Sequence, residues 1–81
     1  MKPTLYQRVG LLENRPEAGL RRGDVATVVD FVSHPAGGED GCVLEVFNAN
    51  GESLRVVTVP VSCVTPLTAE DIPAVRRLVV A

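Results

Sequence analysis

Tryptophan is absent, and Tyr6, Phe31 and Phe47 are the whole aromatic supply. A groove that grips proline-rich peptides needs aromatic walls, so that binding mode is disfavoured. Histidine occurs once, at His34, and no Ser or Cys stands in a nucleophile-elbow context, which leaves acyl transfer without its parts. The two cysteines, Cys42 and Cys63, have no second Cys or His two to five residues away, so zinc-type spacing is missing. Basic excess is missing too: eight Lys and Arg face ten Asp and Glu, for a net charge of −2. The simplest electrostatic case for nucleic acid or an anionic membrane falls with it. Lys2 to Arg15 strings no long apolar run together, and no uncharged stretch reaches the length of a membrane span. These gaps predict a soluble cytoplasmic protein with reduced thiols, no metal, no cofactor and no enzymatic activity.

What the chain has in quantity is β-branched side chains: fifteen valines, one isoleucine and five threonines among 81 residues. They are stiff at the first torsion and suit a pleated surface, so an all-β fold is expected. Apolar runs at Leu5–Leu12, Val25–Val32, Cys42–Phe47, Ser53–Val59 and Val64–Leu67 read as strands. Alternation puts Val9 and Leu11 on one face of the first, and Val25, Thr27, Val29 and Phe31 on the more apolar face of the second. It pairs Cys42, Leu44 and Val46 with Leu54 and Val56 as the core set, leaving Val43, Phe47, Val57 and Val59 opposite. Between strands, residues 13–19 loop out before Leu20 anchors the return, and Arg21-Arg22-Gly23-Asp24 makes a tight turn. The Gly-rich stretch from Ser33 to Gly41 is expected to be exposed and mobile, and Asn48 to Gly51 to form a hairpin turn with Gly51 at positive φ. Val61-Ser62-Cys63 reads as a 3₁₀ turn.

Five short strands, a long first connection, a hairpin and one helical turn before the last strand describe a small SH3-like barrel over residues 1–67. Residues 68–81 are then an extension. Ile72, Val75, Leu78 and Val79 recur there at helical spacing, with Pro73 in the first turn, so a short C-terminal helix is expected. The chain resembles a family of small bacterial SH3-like-barrel proteins catalogued only as a domain of unknown function. Leu11-Leu12-Glu13, the run from Gly19 to Val29, Asn50-Gly51, Thr58-Val59-Pro60 and Pro66-Leu67 carry the resemblance. It departs from that family with Ala26 in place of a usual Gly, a longer loop from Ser33 to Gly41, and the tail after Leu67. The resemblance implies the fold and brings no activity or ligand residues.

Remaining chemistry is sparse. His34, Glu39, Asp40 and Cys42 sit too loosely in a Gly-rich loop to preorganise a metal, and Glu39-Asp40 and Glu70-Asp71 read as solubility and capping pairs. Gly37-Gly38 lacks the following Lys-Ser/Thr of a phosphate cradle. The valine-rich outer surface instead predicts protein association. A small accessory subunit, or an antitoxin or immunity-type partner, would use Val43, Phe47, Val57 and Val59 with the tail residues Ile72, Val75, Leu78 and Val79. The same stripe could cover its own chain or pair two copies in a homodimer. The alternative is an RNA- or ribosome-associated module of the KOW type, contacting phosphates through Arg8, Arg21, Arg22 and Arg55.

Overall fold

The computed structural model describes residues 2–77. Five antiparallel strands make one sheet: β1 (Arg8–Leu11), β2 (Val25–Val32), β3 (Gly41–Phe47), β4 (Ser53–Pro60) and β5 (Val64–Pro66), in the order β4-β3-β2-β1-β5. The 3₁₀ turn Val61–Cys63 stands where one is expected. β1 is shorter than the run Leu5–Leu12 because residues 4–7 close a turn first. The Gln7 N–H donates to the Thr4 carbonyl at 3.2 Å, the Thr4 N–H donates to Gln7 Oε1 at 3.0 Å, and Tyr6 takes φ 65, outside strand geometry.

β4 and β5 are the two edges, and no backbone ladder joins them, so the sheet is not closed into a ring by hydrogen bonds. One core cluster nevertheless contains Val59 of β4 and Val64 of β5 together with Val9, Val28 and Leu44, which requires the sheet to curl around a single interior.

Two irregularities set which side chains point inward. Along β2 and β3, Val28 faces Leu44 but Asp30 faces Val43, so Val29 is an extra residue. Along β3 and β4, Phe47 faces Ser53 but Val46 faces Arg55, so Leu54 is extra. Each bulge reverses the in–out parity beyond it. Two readings from simple alternation are corrected in consequence. On β2 the buried residues are Ala26 and Val28, not Val25, Thr27 and Val29, and Phe31 alone of the expected face packs on the core. On β4, Leu54 and Val56 are exposed, whereas Val57 packs on the core and Val59 is 2% exposed, opposite Cys42.

The connections follow the turn chemistry. Arg15 and Leu20 exchange backbone hydrogen bonds of 2.8 and 3.1 Å across the 3₁₀ turn Pro16–Ala18, Gly19 leaves it at φ 69, and Leu20 is buried. In the next turn the Asp24 N–H donates to the Arg21 carbonyl at 3.0 Å. Gly51 takes φ 81, and Asn48 Oδ1 accepts from the Asn50 and Glu52 N–H groups at 3.0 and 2.9 Å. The exposed stretch after Ser33 is fastened near its end, where the Ser62 hydroxyl and N–H donate to the Glu39 carboxylate at 2.8 and 3.2 Å, the Val61 N–H donates to the Asp40 carbonyl at 3.0 Å and Lys2 pairs with the Asp40 carboxylate at 3.6 Å.

The C-terminal helix is absent from the described residues. Thr68 and Asp71 close a single turn, with the Thr68 N–H donating to Asp71 Oδ2 at 2.7 Å, and residues 71–77 continue without regular structure. Ile72 is 92% and Val75 90% exposed. A segment this short is helical only when burial of an apolar stripe supports it, and its described members Ile72 and Val75 stay exposed. Leu78 and Val79 lie outside the described residues.

Candidate functional site

The loop before β2, the β3–β4 hairpin and the tail meet at one end of the sheet, around two adjoining clefts of about 470 and 400 Å³. Gly19, Leu20, Arg55 and Arg76 line both; Arg21 borders the first, and Arg8, Phe47, Leu54 and Val75 border the second. The bulge at Leu54 explains much of this. By restoring the pairing Val46↔Arg55, it sends Arg55 to the face that carries Val46 and points it at the loop. There Arg55 Nη1 donates to the Ala18 carbonyl at 3.4 Å, and the guanidinium presses on Gly19 where a Cβ would stand.

The tail reaches the clefts through one polar clamp. Arg76 Nε and Nη2 donate to the two oxygens of Asp24 at 2.8 and 2.7 Å, and Nη2 also donates to the Gly19 carbonyl at 3.2 Å. Partial burial pushes the Asp24 carboxyl up, but hydrogen bonds from Arg76 and the Arg21 N–H, with both positive charges, outweigh it and hold Asp24 below its ordinary range. Among the described residues Asp24 is the one acidic side chain lining either cleft, and both its oxygens are engaged. Among the described residues, Arg8, Arg21 and Arg55 have no carboxylate at ion-pair distance. Guanidinium groups so placed are donors for a carboxylate or phosphate in fork geometry, beside apolar surface from Phe47 and Leu54.

The residues singled out in the sequence divide accordingly. From the candidate protein interface, Phe47 and Val75 reach the second cleft. Val59 does not, being core, and Val57 is partly buried beneath the sheet; Val43 and Ile72 line neither cleft. From the candidate phosphate-contacting set, Arg55 lines both clefts, Arg21 the first and Arg8 the second, and Arg22 stays outside, its N–H donating to Asn14 Oδ1 at 2.9 Å. Simple alternation misses Leu54, which it places in the core, and helical periodicity misses Arg76 by treating the tail as an apolar stripe. A Pro at position 73 followed by the basic pair Arg76-Arg77 is the signal that bears on the tail.

The other polar groups build no second site. His34 Nδ1 accepts the Ala36 N–H at 3.1 Å within its own exposed loop, and among the described residues no three His, Cys, Asp or Glu side chains gather as metal ligands would. Cys63 Sγ donates to Glu13 Oε1 at 2.9 Å. Burial, then that hydrogen bond and the Glu13 charge, raise the Cys63 thiol; burial raises Cys42, against a small opposing effect of Lys2. Both thiols are free and buried.

Residues 5–66 match a family model described as Domain of unknown function (DUF4926). No curated protein and no solved structure matches the chain.

Proposed function

The chain belongs to the DUF4926 family, and for it we propose a non-catalytic protein-binding module on an SH3-like barrel, serving in the cytoplasm as an accessory subunit or an antitoxin- or immunity-type partner. The observation that carries this reading is the apolar surface left open at one end of the sheet. Phe47, Leu54 and Val56 stay exposed on and beside the free edge strand β4, next to Arg55, in a chain that has little core to spare. Large apolar groups grouped beside unpaired arginines are the composition of an interface centre rather than of a solvated surface. The five-strand order, the 3₁₀ turn before β5 and the shared core of β4 and β5 support the barrel. Self-association belongs to the same proposal: β4 offers a second copy an eight-residue edge whose one charge is Arg55.

Affinity capture from the source cells tests it. The full chain is expected to retain one discrete protein in stoichiometric amount, and Leu54→Glu to lose that same protein while keeping its melting temperature. Capture of RNA instead, released as salt is raised, would favour the KOW-type alternative, which the placing of Arg8, Arg21 and Arg55 along two adjoining clefts supports.

A further inference from the structure

Arg55 lines both clefts, with one carbonyl hydrogen bond at 3.4 Å among the described residues for five N–H donors. Arg21 lines the first cleft and Arg8 the second, and among the described residues neither has a carboxylate at ion-pair distance, Asp24 acting on Arg21 only at longer range. In a chain of net charge −2, the described lining of the two clefts holds four arginines, Arg8, Arg21, Arg55 and Arg76, against the single carboxylate of Asp24. The chain itself shows how a guanidinium is satisfied at this end: Asp24 takes Arg76 through two short hydrogen bonds. Phe47 and Leu54 complete the second cleft with exposed apolar surface.

We infer that the segment bound here is acidic: an extended stretch of a partner protein whose carboxylates are held by Arg8, Arg21 and Arg55 while an adjacent apolar side chain lies on Phe47 and Leu54. The inference rests on the protein-binding reading and adds the chemistry of the partner. Carboxylates fit better than a nucleic-acid backbone on two grounds. The overall charge repels a polyanion that extends beyond the clefts, and a single exposed phenylalanine makes no stacking platform for successive bases. Cleft volumes of about 470 and 400 Å³ take a few side chains, the scale of a short linear segment.

Selection of random dodecapeptides on the full chain reads this out. Recovered peptides are expected to carry Asp or Glu at a fixed spacing from an apolar residue. Replacing the acid by its amide, or Arg55→Gln in the protein, should weaken binding about tenfold or more, as loss of a charged hydrogen bond does. Arg21→Gln is the second variant, because among the described residues the Arg21 side chain makes no hydrogen bond or ion pair, and an unchanged melting temperature checks that the fold survives; it too should weaken binding. Recovery of uncharged apolar peptides indifferent to both variants overturns the acidic partner and leaves the protein-binding reading standing. Failure of all peptides, with an oligoribonucleotide bound and weakened by Arg55→Gln, overturns both readings. Binding of neither overturns the inference.

Discussion

Position 19 is under two constraints at once. Its φ of 69 disfavours any side chain, and a Cβ there would overlap the Arg55 guanidinium. Gly23 has φ 91 but nothing within 4 Å of a Cβ. Gly19→Ala is therefore expected to cost more than Gly23→Ala, which should show the backbone penalty alone, roughly 1 kcal/mol. Urea midpoints of the two variants decide it, and equal shifts would mean that Arg55 swings aside freely. A second residue-scale outcome concerns the thiols. With Cys42 and Cys63 both buried and both raised above the ordinary value of 9.0, the native protein should react slowly with iodoacetamide at neutral pH and fully once unfolded. Rapid native labelling of either cysteine would contradict its burial.

At the scale of the element, the inward face of β4 is testable by truncation. Val59→Ala removes two buried methyl groups and should cost about 1.5–2.5 kcal/mol, whereas Val56→Ala, at a site 57% exposed, should stay below about 0.5 kcal/mol. The opposite ranking would restore the face that simple alternation predicts. Strand positions, the 3₁₀ turn and the glycine turns were legible because valine runs and Gly or Asn punctuation act locally. The faces of β2 and β4 were not, because a single extra residue at Val29 or Leu54 reverses parity without altering composition. The cleft was half legible for the same reason: Arg8, Arg21 and Arg55 could be named as a set, while Leu54 and Arg76 needed the bulge and the fold-back of the tail. That tail also misled, since Ile72 and Val75 keep helical spacing but remain almost fully exposed. Ile72→Asp and Val75→Asp should accordingly shift stability by less than about 0.5 kcal/mol, and Arg76→Ala by roughly 0.5–1 kcal/mol through its lost pairing with Asp24.

For the whole molecule, stability should fall at both ends of the pH scale for different groups. Asp24 has its folded pKa below the ordinary 3.8, so its contribution is complete above that value and is lost as pH falls through the lowered one. The two thiols have folded values above the ordinary 9.0, so their contribution is complete below 9.0 and is lost as pH rises through the raised ones. Thermal melts from acid to alkaline buffers check both limbs, and Arg76→Ala should weaken the acid limb selectively. Light scattering on the full chain tests self-association along β4: a mass near twice 8.6 kDa, returning to 8.6 kDa in Val56→Lys, is expected. A wild-type monomer at every concentration would remove the homodimer. The loop between β2 and β3 has one further consequence. It is tied to the body late, at Glu39 and Asp40, and among the described residues the stretch from His34 to Gly38 carries no long-range hydrogen bond and lies outside the core. Of the connections between strands a protease should cut this one first, and the cut should leave a working whole, because β2 and β3 remain laced along their length from Thr27↔Glu45 to Val32↔Gly41. The polypeptide is thus divisible: two separately made pieces should recombine, and new chain ends or a guest domain should be accepted between Ala36 and Gly38.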